Sequence, residues 1–508
     1  GFHIVLNNQI FKDNRIPPRG FTNAAFAARD MQPVGVTYAD GQYWDTTYYP
    51  LHPEATEISV RLMYQTASSE YLDFLASEAN LDVGDAVRGT TNWGALIAEQ
   101  RGKNVGKPVV MATAHLFMPR QFVATTGTDT GACTESDQPC KTINYAISQA
   151  VDGGEIRVAA GIYPEMIQLS KPISLTGGFT TSNWVTPNWV ANPTILNGQN
   201  SYRPLTINAD GVQINGFTIR NGNTTGGDRY GGGLYIGGVN VVNRATLRNL
   251  RIENNIASTV ESGEGGGLMA AMGNTFQSPA QLTLSNVTVI NNKATTGHLG
   301  ASGGGMNIQG VGNSILNVDL TNVTVQENIA GNDFSSSGGG IALSLNGGRA
   351  TIRQSRILGN QAAVIDTFLG GPSNGGGIYL TNGSLLLENV LLAGNDGERG
   401  DAIWIDATSQ TDMVIGLNYV TIADNHRANS TGNSAIEMLG NTLGIVAANT
   451  LFSGSATAFA APANAQAITL DLQNMLVAES VTAVVSGAIA TTGQALRGNP
   501  GFVNATSG

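Results

Sequence analysis

An apolar pattern recurs along the second half of the chain and predicts most of its architecture. It reads apolar-x-apolar-x-x-apolar-x-apolar and ends three residues before an Asn. Copies of it are Leu282, Leu284, Val287 and Val289; Val318, Leu320, Val323 and Val325; and Leu385, Leu387, Val390 and Leu392. Each pair has the period of two that is typical of a β-strand. The pattern therefore predicts two short strands that meet at a bend and point into one core.

Two columns of asparagine accompany this pattern. The first closes each run, at intervals of 30 to 37 residues, and consists of Asn255, Asn292, Asn328, Asn360, Asn395 and Asn425. The second lies at the bend and consists of Asn249, Asn286, Asn322 and Asn389, with Gln354 and Tyr419 in other copies. Asn tolerates left-handed backbone angles, and stacked Asn amides can form hydrogen bonds from coil to coil. We therefore interpret both columns as structural and not as a binding site.

A glycine triplet precedes the copies of the pattern. The triplets begin at Gly231, Gly265, Gly303, Gly338 and Gly375, and each leads directly into an apolar run such as GGGLYI or GGGIAL. A phosphate-binding loop would also need Lys and Ser or Thr at the start of a helix, and these are absent. Stacked glycines permit tight turns and close contact between coils. The repeat therefore predicts a solenoid from which loops such as ASTVESGE project.

The segment before the repeats predicts a cap for this solenoid. Ile143, Ala146, Ile147 and Ala150 have the spacing of one face of a short helix, and EIRVAAGIY follows as a first strand. A helix laid across the first coil covers the open end of a solenoid core.

These residues closely resemble the opening of right-handed parallel β-helix proteins of the pectin-lyase-like superfamily, over about residues 127 to 508. The resemblance implies an all-β, right-handed parallel β-helix with an N-terminal capping helix. The glycine and Asn arrangement is also similar to the repeats of polymorphic outer-membrane proteins, which are bacterial surface proteins. The Asn-Thr-Asp, Asp-Asp, Gly-His-Gly and Arg-Ile-Lys signatures of the superfamily's polygalacturonases are absent from this chain. The resemblance therefore implies the fold without that activity.

The first 118 residues differ in composition and are richer in aromatic residues. The alternation of Ile58, Val60 and Leu62 predicts a half-buried strand in EISVRLMY, and KPVVMATAHL is a second predicted strand. SSEYLDFLAS and NWGALIAEQ predict short helices. We predict a small β-sandwich-like domain over residues 1–118, a linker over 119–127 and the β-helix over 128–508.

Three stretches of this first domain resemble a β domain appended to secreted multihaem cytochromes: RIPPRGF, YADGQYWD and YQTASSEYLDFL. The resemblance implies an exported module that can associate with cytochrome subunits. The chain has no Cys-x-x-Cys-His motif, so haem attachment is not carried over. Trp44, Tyr48 and Tyr49 are the candidate interface residues, with a place in the domain's own core as the alternative.

Composition and charge exclude several classes of protein. The 508 residues are 41% hydrophobic and 12% charged, as expected for a folded protein. The net charge of −11 argues against a nucleic-acid-binding surface. No apolar run approaches the roughly 20 residues that a membrane-spanning helix needs. The first residue is Gly1, and we expect both ends to derive from a longer precursor.

The two cysteines predict the compartment. Cys133 and Cys140 lie seven residues apart in a polar loop, which favours a local disulfide and hence an extracellular or cell-surface location. A pair of reduced structural thiols is the alternative. Asp129, Glu135 and Asp137 of the same loop offer oxygen ligands for calcium, which is the one cofactor that we consider.

Candidates for catalysis or sugar binding are few. Asp401, Asp406, Asp424 and His426 form the best cluster of ionisable residues, with solvated turn residues as the alternative interpretation. Aromatic residues that could stack on sugars are scattered along the repeats: Tyr230, Tyr235, Phe276, Phe334, Phe368, Tyr379, Trp404 and Tyr419.

We therefore expect an exported, noncatalytic surface or matrix protein that serves in adhesion, an envelope coat or a filament. Its partners would be further copies of itself or other surface proteins. A polysaccharide-binding or polysaccharide-cleaving β-helix protein is the second hypothesis, and a scaffold subunit of multihaem cytochromes is the third. The fold alone does not decide among them.

Overall fold

Strands make up most of the structure and follow the predicted apolar pattern. The computed structural model describes residues 16–46, 57–64, 109–117, 120–237, 242–273, 279–297, 299–332, 336–363, 372–408, 412–425, 434–440, 443–463 and 467–499. The chain divides into two units, Gly1–Met111 and Ala112–Gly508. Within the described ranges, no helix has the length and apolar character needed to cross a membrane.

The described part of the N-terminal region contains one short helix and two strands. Helix α1 spans Asn23–Ala27, and Thr22 caps it by accepting a hydrogen bond from the backbone of Ala25. Strands β1, Glu57–Tyr64, and β2, Val109–Phe117, form a two-stranded sheet. Both strands that the sequence predicts in this region are therefore present.

The burial predicted for the first of these strands is wrong. Val60 and Leu62 are 59% and 65% exposed, although their alternation predicts a half-buried face. The reason is that no second layer packs on this two-stranded sheet among the described residues. The two predicted helices lie outside the described residues, and the β-sandwich stays a prediction.

The strands of the second unit follow one another in successive coils. In chain order they are β3 (Arg120–Val123), β4 (Glu155–Ala159), β5 (Gly161–Tyr163), β6 (Ile167–Leu169), β7 (Ser174–Phe179), β8 (Thr194–Asn197), β9 (Leu205–Ile207), β10 (Val212–Asn215), β11 (Phe217–Arg220), β12 (Leu234–Ile236), β13 (Arg244–Glu253), β14 (Ile256–Ser258), β15 (Leu268–Met272), β16 (Ala280–Ile290), β17 (Lys293–Thr295), β18 (Met306–Gly310), β19 (Leu316–Gln326), β20 (Ile329–Gly331), β21 (Ile341–Leu358), β22 (Gln361–Ala363), β23 (Ile378–Ala393), β24 (Ile403–Ala407), β25 (Met413–Asn418), β26 (Thr421–Ala423), β27 (Ser434–Gly440), β28 (Leu443–Ala448), β29 (Leu451–Ser453), β30 (Thr457–Ala460), β31 (Ile468–Val477), β32 (Ala483–Ser486) and β33 (Ala490–Arg497).

The pairings between these strands, within the described residues, are parallel and join one coil to the next. β15 pairs with β18, for example, and β16 pairs with β19 along its whole length. Parallel neighbours that are equivalent parts of successive repeats define a coil of strands, so the fold is an all-β parallel β-helix. The predicted fold class is confirmed.

One stack of strands includes those that begin directly after the glycine triplets. It joins β9, β12, β15, β18, the first parts of β21 and β23, β24, β27 and β30. We call this stack the front sheet.

The core is the inward half of the alternating pattern. Leu282, Leu284, Val287 and Val289 are at most 1% exposed, and their equivalents in the other coils are also buried. One continuous apolar cluster runs from Val123 to Val481. The pattern therefore identified the inward residues correctly.

Helix α2, Ile143–Gln149, covers the start of this core as predicted. Its Ile143, Ala146 and Ile147 are buried in the same cluster as the first strands. Glu165 accepts hydrogen bonds from the first two backbone N–H groups of the helix, at 2.9 and 3.0 Å. Lys171 donates to the backbone carbonyls at its other end. Both ends of the helix are thus attached to the first coils, which satisfies backbone groups that the helix cannot pair itself.

The β-helix begins before residue 128. Strand β3 pairs with β4 in parallel and lies inside residues 119–127, the segment predicted to be a linker. A strand of four residues is too short to show alternation, which explains the difference.

A disulfide joins Cys133 and Cys140, whose Cα atoms are 5.4 Å apart. Both residues are buried, and their backbone groups exchange hydrogen bonds with Phe122 in β3. The indole Nε1 of Trp184 donates to the carbonyl of Ser136 inside this loop, at 3.1 Å. The disulfide loop is therefore part of the first coil.

The bend column adopts left-handed backbone angles throughout. Asn249, Asn286, Asn322, Gln354, Asn389 and Tyr419 have φ values between 51° and 55°. Asn286 Nδ2 donates to Asn249 Oδ1 at 2.6 Å, and Asn322 Nδ2 donates to Asn286 Oδ1 at 3.1 Å. This is an exposed amide ladder on a turn that only a few residue types adopt easily.

The other Asn column is fully buried and forms a second, more complete ladder. In each step Nδ2 of one Asn donates to Oδ1 of the Asn in the next coil: 2.9 Å from Asn255 to Asn292, 3.0 Å from Asn292 to Asn328, 2.9 Å from Asn328 to Asn360, 2.9 Å from Asn360 to Asn395 and 2.8 Å from Asn395 to Asn425. The same Oδ1 also accepts the backbone N–H of the preceding Asn, as Asn328 Oδ1 does from Asn292 at 2.9 Å. The second Nδ2 hydrogen is donated to a carbonyl of the preceding coil.

The ladder ends where the column no longer holds Asn. At one end the backbone N–H of Gly222 donates to Asn255 Oδ1 at 2.8 Å. At the other end Ser455 Oγ donates to the carbonyl of Asn425 at 3.0 Å.

The glycine triplets depend on this ladder. The first glycine of each triplet has a positive φ, as in Gly303 at 65°. The third packs directly on an Asn amide, since a Cβ on Gly305 would lie 3.0 Å from Cγ of Asn328. No larger residue fits there without moving the ladder.

Removal of one buried amide tests the ladder. We expect Asn328→Leu to lower the free energy of unfolding by at least about 3 kcal/mol, because it leaves the backbone N–H and Nδ2 of Asn292 buried without an acceptor. Asn322→Gly, in the exposed ladder of the same coil, keeps the left-handed angle and should cost less than about 1 kcal/mol. Urea unfolding of both variants measures this difference, and equal losses would contradict the role of the buried ladder.

Removal of the disulfide tests the first coil. We expect the double variant Cys133→Ser and Cys140→Ser to lose about 2–3 kcal/mol of stability, because the unfolded chain regains the freedom of the loop. Thermal unfolding measures the loss, and Trp184 fluorescence reports whether the loop has moved, with Trp184→Phe as the control for the other indoles. A double variant that melts like the native chain would show that the disulfide adds no stability.

Candidate functional site

The front sheet gathers one outward side chain from each coil into a single column. The strand register places them side by side in the order Thr206, Tyr235, Met269, Asn307, Ala342, Tyr379, Trp404 and Glu437. Adjacent parallel strands are about 4.8 Å apart, so five steps separate Tyr235 from Trp404 by roughly 24 Å.

A second column runs beside the first. It consists of the residues directly before the glycine triplets and their equivalents, which form parallel bridges in the order Tyr230, Glu264, Ser302, Ser337, Asn374 and Arg399. We call the surface that these two columns form the front face. On this surface the solenoid places aromatic and charged side chains from successive coils in register.

The first cluster of the front face is the Arg203 patch, which comprises Arg203, Asp228, Tyr230 and Tyr235. The two tyrosine rings stack with their centroids 6.2 Å apart, and Tyr230 is 38% exposed. The Arg203 guanidinium lies 5.0 Å from the Tyr235 centroid and forms an ion pair with Asp228. A recess of about 250 Å³ adjoins the patch, with Gln168 and Thr206 among its lining residues.

The second cluster is the Arg399 patch, which comprises Arg399, Trp404, Ser434 and Glu437. The Arg399 guanidinium lies 5.8 Å from the Trp404 ring centroid. Ser434 Oγ donates a hydrogen bond of 3.0 Å to Glu437 Oε2. The patch lines a recess of about 340 Å³. Because Trp404 is only 3% exposed, the groups that meet solvent are mainly the polar ones.

Burial raises the pKa of four ionisable side chains on the front face. It raises the pKa of Glu437, although the hydrogen bond from Ser434 and the charge of Arg399 oppose the rise. Burial likewise raises the pKa of Glu264, which accepts a 3.1 Å hydrogen bond from Asn307 Nδ2. Burial also raises the pKa of Tyr235 and Tyr379, so both hydroxyl groups stay protonated at neutral pH.

The predicted catalytic residues occupy different parts of the coil. Asp401 is fully buried in the turn before β24, at the position of the second glycine of the earlier triplets. Asp406 lies on β24, where its Oδ1 accepts hydrogen bonds from the backbone and hydroxyl of Thr408. Asp424 is an exposed turn residue with φ of 51°, directly before the Asn ladder. His426 lies outside the described residues, so the catalytic cluster stays a prediction.

The predicted calcium ligands have other partners or face solvent. Asp129 Oδ1 accepts the backbone N–H groups of Lys141 and Thr142, both at 2.9 Å, which fixes the start of α2. Glu135 and Asp137 are exposed. Throughout the described ranges, no three His, Cys, Asp or Glu side chains are grouped as metal ligands. Calcium binding stays a prediction.

The candidate interface of the N-terminal region is only partly described. Trp44 is 55% exposed and contacts the Tyr43 ring edge to face, with centroids 5.3 Å apart. It is therefore not a core residue. Tyr48 and Tyr49 lie outside the described residues, and their role at an interface stays a prediction.

The structure corrects our reading of the aromatic residues. They are scattered in sequence, but Tyr235, Tyr379 and Trp404 share one column, and Tyr230 lies beside it. Part of the signal for this column was available, because Tyr235 and Tyr379 each follow the first apolar residue after a glycine triplet. Tyr419 belongs elsewhere, since it occupies the bend column and is 65% exposed. Phe276, Phe334 and Phe368 lie outside the described residues.

No protein-family model matches the chain, and no curated protein matches it either. Two solved structures match it.

The crystal structure of pectate lyase Pel9A matches with 13% sequence identity and a TM-score of 0.41, over 75% of this chain and 80% of that one. The crystal structure of GH136 lacto-N-biosidase from Eubacterium ramulus matches with 13% identity and a TM-score of 0.34, over 85% of this chain and 74% of that one. The fold follows from this chain's own strand pairing, and neither match assigns an activity to it. The cytochrome association stays a prediction.

The raised pKa of Glu437 has a consequence for stability. A carboxyl group whose pKa is higher in the folded than in the unfolded protein stabilises the fold fully below its unfolded pKa, and this contribution is lost as the pH rises through the folded pKa. We therefore expect Glu437→Gln to melt at a higher temperature than the native chain at neutral pH, and the gap should close towards pH 4.

Calorimetric melting curves from acid to neutral pH measure this effect. Glu479→Gln removes an exposed carboxyl group elsewhere and is the control for the change in net charge. Parallel pH profiles for the native chain and Glu437→Gln would show that burial does not disfavour this charge.

Proposed function

We propose that this chain is an exported, noncatalytic β-helix protein that binds a neutral polysaccharide along its front face. The observation that supports this most is the register that aligns Tyr235, Tyr379 and Trp404 in one outward column. The column lies beside two arginine side chains that can donate hydrogen bonds, Arg203 and Arg399, and beside two recesses.

The chemistry of the face suits sugars. A sugar presents apolar C–H faces, which pack on aromatic rings, and hydroxyl groups, which form hydrogen bonds to charged side chains. Tyr230 and Tyr235 provide the rings, while Arg203 and Asp228 provide a donor and an acceptor beside them. The Arg399 patch repeats the donor and the acceptor with Arg399 and Glu437, while its own ring, Trp404, is covered.

The charge of the face favours a neutral ligand over an anionic one. Arg203 is paired with Asp228, and Arg229 with Glu261 at 2.5 Å. Arg399 has Glu437 close enough for its charge to affect the carboxyl group. With Glu264 also present and a net charge of −11, an anionic polymer would meet repulsion.

Four carboxyl groups on or beside the front face are engaged with other groups of the protein. Asp228 pairs with Arg203, and Glu264, Asp406 and Glu437 accept hydrogen bonds from Asn307, Thr408 and Ser434. The disulfide supports export, because such bonds persist in oxidising compartments. A role in a coat or filament stays a prediction, and polysaccharide binding is compatible with it.

Affinity electrophoresis tests the proposal. Gels that contain hydroxyethyl cellulose, xylan, galactomannan, starch or polygalacturonate should slow the protein in at least one neutral polymer and not in polygalacturonate. Tyr235→Ala and Tyr379→Ala should each weaken binding by at least roughly 5-fold, which corresponds to about 1 kcal/mol or more for the loss of one aromatic contact.

Tyr419→Asn is the matched control, because it removes an exposed tyrosine of the bend column and supplies the residue that most coils have there. It should bind like the native chain. Retardation by polygalacturonate alone, or equal weakening by the control, would contradict a neutral ligand on the front face. Release of reducing ends from the bound polymer would contradict the noncatalytic part of the proposal.

A further inference from the structure

We infer that a single polysaccharide chain contacts two separate subsites on the front face, one at the Arg203 patch and one at the Arg399 patch, and lies along the stacking direction of the coils. This inference rests on the proposed function and specifies where and how the polymer binds.

The two patches have the same construction, although they are far apart in sequence. Each has a guanidinium group over an aromatic ring, at 5.0 Å in the Arg203 patch and 5.8 Å in the Arg399 patch. Each has a carboxyl group beside that guanidinium, from Asp228 and Glu437. Each adjoins a recess, of about 250 and 340 Å³. Because the Trp404 ring is covered, the feature that both patches present to solvent is a guanidinium group beside a carboxyl group. One ligand rich in hydroxyl groups can form hydrogen bonds to both.

The column between Tyr235 and Tyr379 offers little to bind. Met269, Asn307 and Ala342 are 1%, 6% and 3% exposed, so their side chains contact neighbouring residues and present almost no surface. Strong contacts are therefore confined to the Arg203 patch at one end and to the Arg399 patch with the adjacent Tyr379 at the other. The segment of ligand between them would pass over these covered positions without strong contacts.

The distance between the patches sets a minimum length for the ligand. Tyr235 and Trp404 are five strand steps apart in one straight column, or roughly 24 Å. A short oligosaccharide reaches one patch only. A chain that spans both patches makes the second contact at a high effective concentration, because the first contact already holds it close. Its affinity can therefore exceed that of a short oligosaccharide by roughly 10²-fold or more.

Calorimetric titration with oligosaccharides of increasing length tests this inference. Cello-, xylo- and manno-oligosaccharides from disaccharides to octasaccharides serve as probes, with the full-length protein. We expect affinity to rise in one step, of roughly 10²-fold, once the oligosaccharide is long enough to span about 24 Å.

Two variants assign the step to the patches. Tyr235→Ala in one patch and Arg399→Ala in the other should each abolish the step and leave weak binding of short oligosaccharides at the intact patch. Tyr419→Asn, in the bend column and outside the front face, is the control and should keep the step. Circular dichroism and the melting temperature confirm that each variant is folded.

The outcomes separate this inference from the proposal beneath it. Affinity that rises smoothly with length, or a step that survives both patch variants, overturns the two-subsite arrangement while polysaccharide binding stands. One variant that abolishes binding at every length, with no effect of the other, shows a single site. Failure of every oligosaccharide and every polymer to bind contradicts the proposed function itself.

Discussion

Each coil in the centre of this solenoid depends on hydrogen-bonding groups that only its neighbours supply. The corner that holds the buried Asn, for example Asn292 between β16 and β17, encloses a backbone N–H and an amide side chain where water cannot reach them. Asn meets this constraint because its side chain has two donors and an oxygen that accepts two hydrogen bonds. Identical residues can therefore satisfy one another in a line, and an apolar or an acidic residue would leave groups of both neighbouring coils without partners. The third glycine of each triplet follows from the same constraint, since the amide occupies the space of its missing side chain.

The ladder also explains why the front face is regular although the loops are not. The polypeptide between the ladder and the next triplet varies in length, which produces the uneven spacing of the repeats. Because the third glycine packs against the ladder, the chain returns to the same place after every loop, whatever its length. The residues that follow, among them Tyr235, Tyr379 and Trp404, are therefore aligned to within one strand spacing. Loop length and surface chemistry are in this way independent of each other.

The features of this structure that depend on neighbouring residues in the sequence were predictable, and those that depend on contacts between coils were not. The inward residues and both Asn columns were predictable, because alternation and bend chemistry are local properties that repeat. The column of the front face was accessible in part, and it was missed because its residues differ in type from coil to coil. The two patches could not be predicted. Arg203 meets Asp228 and Tyr230 only through the path of an irregular loop, and Arg399 meets Glu437 from an adjacent coil. The burial of Trp404 is likewise a result of packing between coils, which no repeat pattern records.

The direction of the buried ladder has a mechanical meaning. All its side-chain bonds point the same way, from the amide nitrogen of one coil to the amide oxygen of the next. A pulling force along the stacking direction loads successive joints in series, and at each joint the side-chain bond shares the load with the backbone bonds of the sheets, so a joint without the side-chain bond is weaker by that bond. Such joints lie beyond Gly222 and Ser455, which replace Asn at the two ends of the ladder. Under tension the solenoid would therefore lose its outer coils one at a time, while the segment that contains most of the front face stays intact.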